Sequence, residues 1–587
     1  MERREFLHML AMASAAFGVS GCATDRRAAK QDIYDIKPFG QARLLHFTDC
    51  HAQLMPIYYR EPNVNLGFGE VYGKPPHLVG DALLQFAGIP AGGLYAHAFS
   101  HLDFVEAARR YGKVGGFSYL RTLVNRLRLE AGPGNSLLLD GGDTWQGSGT
   151  ANWTQGRDMV GACNLLGVDV MTGHWEFTYQ DSILAANLEA FQGNFVAQNI
   201  LLKEEALFEG VPAFDEDSGH AFQPYELREV GGRVIAIIGQ AFPYTPIANP
   251  ARFVPDWTFG IRSSELQELT QQIREKHAVD GVVLLSHNGL DVDIKLAGVV
   301  SGLDVILGGH THDGVPQPVV VNNRSGKTLV TNAGSNGKFL AVLDLDFGDS
   351  GLRDYRYRLL PVFSNLLTAD PEMETYINKV RQPWIERLEE PLAVADDLLY
   401  RRGNFNGTFD QVICDAQRAV GDAQIALSPG FRWGTTVLPG DTVTMERVLD
   451  QTCITYPETY VREMTGEQIK LILEDVCDNL FNPDPFYQQG GDMVRVGGMN
   501  YTCEPQASAG QRISNMTLDD GTLIDAGKKY KVAGWATVAS IAPGPPIWEV
   551  VADYLKDRKT TRIDRLNTPV LKGVGTNPGL ADYKALS

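Results

Sequence analysis

The chain of 587 residues exceeds the roughly 250–300 at which a single hydrophobic core stops growing, so two or more domains are expected. With 44% hydrophobic and 21% charged residues it is composed as a globular protein and not a disordered one, while a formal net charge of −19 would repel nucleic-acid phosphates. No polynucleotide partner is expected, and no run beyond the N-terminus is long and apolar enough to span a membrane.

The N-terminus reads as an address. In MERREFLHMLAMASAAFGVSGC, Arg3-Arg4 precedes an apolar stretch too short to cross a bilayer, the layout of a twin-arginine export signal over residues 1–22. A periplasmic destination follows as an expectation. Val19-Ser20-Gly21-Cys22 also resembles a bacterial lipobox, which would make Cys22 a lipidated first residue; the alternative is cleavage at a small-residue site nearby. Removal of residues 1–21 takes away Glu2, Glu5, Arg3 and Arg4, so the mature chain keeps its net charge of −19. Cys50, Cys163, Cys414, Cys453, Cys477 and Cys503 remain, enough for one or two disulfides in an oxidising compartment, without a readable pairing and without a CxxC knuckle.

From residue 42 to about 345, short apolar runs with polar exits alternate with helical stretches. ARLLHFTDCH, SLLLDGGDTW, VDVMTGHWEF, FVAQNI, RVIAIIGQAF, GVVLLSHNG and LDVILGGHTH read as buried strands, and ELQELTQQIREKH carries helix spacing. This alternation predicts an α/β layered domain over 40–368, whose chemistry gathers at strand ends. Residues 52–115 interrupt the rhythm with a Gly/Pro/aromatic-rich insertion, a candidate substrate-shaping loop in which Tyr58, Tyr59 and Arg60 would hold a peptide or the loop would only cover the domain. DPEMETYINKVRQPWIERLEE predicts a linker helix over 369–392, and a smaller mixed domain follows over 393–570 with one helix over 465–480. Residues from about 566 read as a loose tail.

The strand exits are chemically biased. They carry Asp49 and His51, then Asp143, His174, His287, and finally His310 and His312, which places five of the twelve histidines at such positions. Where a strand continues, i and i+2 side chains point the same way, so Asp49/His51 and His310/His312 are each expected to reach one metal centre, with Cys50 and Thr311 facing away. That parity makes Cys50 a buried small hydrophobe before a thiolate ligand. Asp143 follows Gly141-Gly142, whose backbone freedom brings a carboxylate between two ions. Mixed carboxylate and imidazole donors suit first-row divalent metals better than calcium.

In order, DCH, LLLDGGDTWQGS, HNG and GGHTH resemble the motifs of the calcineurin-like metallophosphoesterases, in the periplasmic 5′-nucleotidase branch, over essentially the whole mature chain. The resemblance implies a four-layer α/β/β/α catalytic domain and a smaller α+β substrate domain of 5′-nucleotidase type. It further implies two ions, one on Asp49, His51, Asp143 and His312, the other on Asp143, His174, His287 and His310, with Asp143 bridging.

One turn departs from that branch. Where the nucleotidases read Gly-Asn-His-Glu-Phe-Asp, this chain reads Gly173, His174, Trp175, Glu176, Phe177 and Thr178, so the metal-binding asparagine becomes His174 and the catalytic His/Asp dyad becomes Trp175 and Thr178. With QNI, NAGSNGKFL, SPGFRWGTTVLPGD, YPETY and QQGGDMVRVGGM, the variant turn resembles the SoxB family of sulfate thiohydrolases. That resemblance implies a manganese pair and, as substrate, a sulfonate held through sulfur on a cysteine near the Gly-rich C-terminal end of the SoxYZ carrier. Asp143, Trp175 and Arg432 are assigned to catalysis, and Arg432, Trp433 and Tyr487 to the substrate, the guanidinium forking two sulfonate oxygens. Glu176 is expected to orient His174, while Asn288 and Asn199 read as a helix cap and a loop brace. The alternatives are a periplasmic 5′-nucleotidase or sugar-nucleotide phosphohydrolase, and a metal-stabilised binding protein without catalysis.

Overall fold

The computed structural model describes residues 32–580 apart from 325, 432 and 576. The export signal, with Arg3, Arg4 and Cys22, and the candidate Arg432 lie outside the described residues. The chain divides into a short unit ending at Ile36 and the unit Lys37–Ser587, which carries all the chemistry below. Among the described residues no helix is long and apolar enough to cross a membrane.

Strands β1 (Ala42–Phe47), β2 (Ser136–Asp140), β3 (Val170–Met171) and β4 (Asn194–Phe195) run parallel in one sheet. A second sheet takes β5 (Tyr225–Val230), β6 (Arg233–Gln240), β7 (Gly281–Ser286), β8 (Val305–Gly308), β9 (Val319–Asn323) and β10 (Gly326–Asn332) in the order β9-β10-β8-β7-β6-β5. The chain then returns to the first sheet with β11 (Phe339–Gly348) and β12 (Gly351–Pro361), giving β12-β11-β1-β2-β3-β4. Central strands are buried on both faces: Leu44, Leu45, Leu138, Leu139, Leu284 and Ile306 are fully buried, as near-continuous apolar runs require in a covered parallel sheet. The sheets meet closely, since a Cβ on Gly239 of β6 would fall 2.0 Å from the Val196 carbonyl oxygen. Helices α1 (Phe117–Ala131) and α2 (Arg157–Leu166) cover the first sheet, and α3 (Ser263–Lys276) and α4 (Leu290–Val299) pack their apolar stripes on the second. Parallel order sends the C-terminal ends of β1, β2, β3, β7 and β8 to one place, where the site is built.

The helix expected between domains is α5 (Pro371–Arg381), capped by the Asp370 carboxylate on the Glu372 and Met373 amides and followed by a 3₁₀ turn at Pro383. It packs back on the first domain: Arg121 bridges to Asp370 and Glu372, and the Tyr376 hydroxyl donates to the Asp158 carbonyl. The C-terminal part is built on a sheet of Ile425–Gly430, Thr459–Thr465, Asp492–Gly497 and Lys529–Trp535, with helices α6 (Thr408–Gly421) and α7 (Gly466–Phe481), the latter opened by a Thr465/Gln468 capping box.

Two expectations change. The insertion is not a bare loop: it folds helices Gly80–Ala87, Leu94–Phe99 and Phe104–Tyr111 and ties both halves together, with the Thr436 amide donating to the Tyr58 carbonyl and Arg60 lying 4.1 Å over the Tyr400 ring. Nor is the end of the described chain a loose tail. Asn567 is fully buried, exchanges hydrogen bonds with Gln411 and receives the Gly498 amide; Val570–Leu571 pairs with Thr502–Cys503, and Leu580 bridges to Val64. Polar composition hid this, because the tail's burial rests on side-chain amide bonds and not on apolar periodicity.

Candidate metal centre

The seven metal-ligand candidates converge in two groups sharing one carboxylate: Asp49, His51, Asp143 and His312 in the first, Asp143, His174, His287 and His310 in the second, each with donor atoms within 4.8 Å of one another. The residues reach this arrangement differently from the parity expectation. β1 ends at Phe47, β2 at Asp140 and β8 at Gly308, and beyond them Asp49, His51, Asp143, His310 and His312 all stand in left-handed backbone conformation, with φ of 53, 45, 56, 70 and 58°. Such strain in non-glycine residues persists only where surroundings enforce it and clusters at functional sites. A consequence is that His310 and His312 part to different groups and do not share one, while Asp49 and His51 stay together.

The loops hold each other in place. The Asp49 amide donates to Gly142 O at 2.8 Å, the His51 amide to Asp143 O at 2.8 Å, and both Asp49 carboxylate oxygens accept the His310 amide. Gly142, at φ 92°, sits where a Cβ would be 2.9 Å from the Gly173 Cα, so β2 and β3 exits can touch only through glycine. Glu176, fully buried, accepts four backbone amides: His174 at 2.9 Å, Asp143 at 3.2 Å, Thr144 at 2.8 Å and Trp145 at 3.1 Å. It therefore clamps two ligand-bearing turns. A Glu176→Gln protein turns an NH₂ toward two of these donors; at about 1–3 kcal/mol per buried unsatisfied group, it should lose about 2–6 kcal/mol in denaturant unfolding and load metal poorly. Unchanged unfolding and unchanged metal content would show that the clamp is not needed.

Within the cluster, Asp143 Oδ2 lies 3.1 Å from His174 Nδ1, 3.1 Å from His287 Nε2 and 3.9 Å from His51 Nε2. Its Oδ1 accepts the Trp175 amide at 2.6 Å. His51 Nε2 and His312 Nε2 face each other at 3.0 Å, and Asp49 Oδ1 is 3.2 Å from His312 Nε2. Two of the rings are also held from outside the cluster: His287 Nδ1 donates to Gly141 O at 2.6 Å and His310 Nε2 to Gln489 O at 3.2 Å, which turns His287 Nε2 toward Asp143. Burial pushes Asp143 up but His174 and His287 outweigh it, holding it well below the usual carboxylate range. Burial lowers His287, yet Asp143 and Asp49 raise it to about 10, so an arriving cation displaces a proton there. Buried, preorganised and mixed in oxygen and nitrogen donors, the residues fit a pair of divalent ions.

Of the other residues singled out in the sequence, Trp433 and Trp175 adjoin this cluster and Tyr487 does not. Trp433 is buried, its ring 4.6 Å from the His51 ring and stacked on Phe431 at 4.3 Å; its indole nitrogen has no hydrogen-bond partner among the described residues. Trp175 packs edge-on against Trp433 at 5.0 Å and stacks on Tyr456 at 6.0 Å, so the departing turn joins an aromatic cluster with the C-terminal part. The Thr178 hydroxyl donates to the Trp175 carbonyl at 2.7 Å, closing its own turn. Tyr487 is 65% exposed, which leaves it outside the buried cluster. Cys50 is buried and absent from both groups, its thiol raised by burial. Asn199 braces its loop on the Ala241 and Gly260 carbonyls; Asn288 binds Gln240 and Asp293 and does not cap α4, whose N-cap is Gly289.

Three contributions escape a reading of the sequence. Gln489 and Gly490 place a C-terminal loop on His310, and a Cβ on Gly490, at φ 73°, would lie 2.2 Å from His310 Nε2. Arg402 donates to the His312 carbonyl at 2.9 Å. Asn249 and Tyr456 stand beyond His174, the Asn249 amide 3.2 Å from Nε2. The QQGG and YRRG stretches were the available signals.

Comparison with known proteins fits this geometry. Residues 393–547 match the family model described as 5′-nucleotidase, C-terminal domain. A solved structure of the sulfate thiohydrolase SoxB from Thermus thermophilus superposes with a TM-score of 0.85 and 35% identity, covering 92% of this chain and 98% of that one. The structure of a 5′-nucleotidase precursor, also from Thermus thermophilus, shares the fold, at a TM-score of 0.70 and 22% identity over 91% of this chain and 99% of that one. Among curated proteins, the trifunctional nucleotide phosphoesterase YfkN of Bacillus subtilis is 26% identical over 74% of this chain and 30% of its own length. The rat 5′-nucleotidase is 28% identical over 46% of this chain and 47% of its own, so the chain spans half or less of these two curated relatives.

Proposed function

The chain belongs to the SoxB family of sulfate thiohydrolases, and from that premise we infer that this metallophosphoesterase-type hydrolase releases sulfate from a cysteine S-thiosulfonate carried by a SoxYZ-type protein. Water oxygen bonds to the sulfonate sulfur, the S–S bond to it breaks with its electron pair leaving on the departing sulfur, and one water gives sulfate, a cysteine persulfide and a proton. When bound, a divalent ion pair, manganese in our reading, supplies Lewis acidity toward the sulfonate oxygens and an acidified water. Asp49, His51, Asp143, His174, His287, His310 and His312 would hold it.

The observation that carries the substrate reading is the turn 174–178. An indole stands where the nucleotidases keep a histidine, and the Thr178 hydroxyl, where they keep an aspartate, is spent on its own backbone. An alkoxide is a poor leaving group and profits from a general acid, whereas a persulfide is far less basic and leaves without one. Trp175 walls the cluster with Trp433 and Tyr456, which supports exclusion of bulkier phosphate esters. Arg432 is proposed to fork the sulfonate oxygens and Trp433 to line the approach. Domains at 40–368 and 393–570 and export by the twin-arginine route to the periplasm complete the proposal.

The 5′-nucleotidase relatives favour the second reading, hydrolysis of nucleotide monophosphates. Restoring the dyad separates the two. Trp175→His with Thr178→Asp, at intact metal content, should raise AMP hydrolysis by about tenfold or more, the lower end of what a general acid contributes being on the order of 10²-fold. A double variant no better than the parent on AMP would remove the specificity role of the turn.

A further inference from the structure

His174 stands where the nucleotidases read asparagine, and an imidazole brings a question the amide did not: which ring nitrogen is bare. Nδ1 faces Asp143 Oδ2 at 3.1 Å, inside the second metal group, so ligation requires the ring proton on Nε2. Nε2 is met by the side-chain amide of Asn249, 3.2 Å away, and the Tyr456 hydroxyl donates to Asn249 Oδ1 at 3.1 Å. Asn249 and Tyr456 are 2% and 4% exposed, so no solvent replaces these partners.

With the amide nitrogen toward the ring, Asn249 donates to Nε2 and the ring proton belongs on Nδ1, donated to Asp143. That is the tautomer of a metal-free site. With the amide turned over, Oδ1 accepts Nε2–H, the amide nitrogen donates to the Tyr456 hydroxyl oxygen, and Nδ1 is bare. An amide above the ring and a hydroxyl beyond it serve both states, since each can donate or accept. Burial raises the Tyr456 phenol, which keeps it protonated and able to reverse.

We propose that Asn249 and Tyr456 are positioning residues that set the tautomer of His174 and so tune the affinity of the second metal group, with Tyr456 reporting the placement of the C-terminal part to that ligand. The same tyrosine ring stacks on Trp175, at 6.0 Å and 9°, so the departing turn and its support form one unit. This rests on the metal reading above and not on the identity of the substrate.

The test is titration of the full chain with Mn²⁺, following free ion by its magnetic resonance signal, with no substrate present. The parent should take up two ions. Asn249→Leu, similar in size and unable to accept, should bind one of the two about 10–100-fold more weakly, the usual loss when a ligand's outer partner is removed. Asn249→Asp, which only accepts from Nε2–H, should bind it at least as tightly as the parent, a rescue that a packing role would not give. Tyr456→Phe keeps the ring on Trp175 and should weaken the same ion about threefold or more, so the prediction stands even where Asn249→Leu fails to fold. Two ions in the parent with unweakened binding in Asn249→Leu and Tyr456→Phe would overturn this inference alone. A parent that takes up no ion would overturn the metal reading and this inference together.

Discussion

An Asp143→Asn protein should fold, bind fewer than two ions and lose hydrolytic activity by about 10³-fold or more, as expected when a main source of transition-state stabilisation is removed. The reason is that Asp143 alone belongs to both donor groups. Its Oδ2 serves His174 and His287 at 3.1 Å each, while Oδ1 holds the Trp175 amide at 2.6 Å. Asparagine keeps one acceptor oxygen, so either the turn or the ions lose their partner, and the charge that offsets two cations is gone. Metal analysis of purified protein and turnover under saturating Mn²⁺ check it. Two ions retained with near-normal turnover would mean that the groups do not share this carboxylate.

The second large effect is on stability. Asp410→Ala should destabilise by about 3–5 kcal/mol in denaturant unfolding, the cost of leaving buried charge without its counterion. Asp410 is fully buried between two arginines, accepting Arg401 Nε at 2.7 Å and standing 3.4 Å from Arg495 Nε, and it caps α6 through the Gly407 amide at 2.8 Å. Asp492 reaches Arg495, whereas the other bonds of Arg401 go to the neutral Gln451 and Pro429 carbonyls. Arg401 also lies 5.9 Å over Phe431, which stacks on Trp433, which lies on His51. Loss of the acid should therefore loosen the aromatic cluster beside the first metal group. A variant as stable as the parent would show that water enters and screens the pair.

The α/β layering and the meeting of the seven candidate donors were legible because each strand is an apolar run with a polar exit, and because those donors recur at the exits. Their exact grouping was not. Parity arguments assume extended backbone, and Asp49, His51, His310 and His312 lie past the strand ends at positive φ, where i and i+2 need not share a side: Asp49 and His51 still meet in one group, His310 and His312 do not. Glu176 could be placed near His174 by its spacing, but three of its four amide partners, Asp143, Thr144 and Trp145, lie 31 to 33 residues away. Asn249 and Tyr456 are 75 and 207 residues distant from their partners, beyond any local pattern. The last residues were misread for a similar reason, since Asn567 is buried by polar pairing with Gln411.

Sulfur, not phosphorus, is the reacting atom in the proposed function, and one measurement addresses this directly. Manganese-loaded protein is incubated with intact SoxYZ-type carrier bearing a cysteine thiosulfonate, and separately with AMP, while carrier mass and released anion are followed. The carrier should lose its sulfonate with one sulfate released per cysteine and a persulfide left behind, and AMP should stay intact. Phosphate released from AMP with the carrier unchanged would contradict the account.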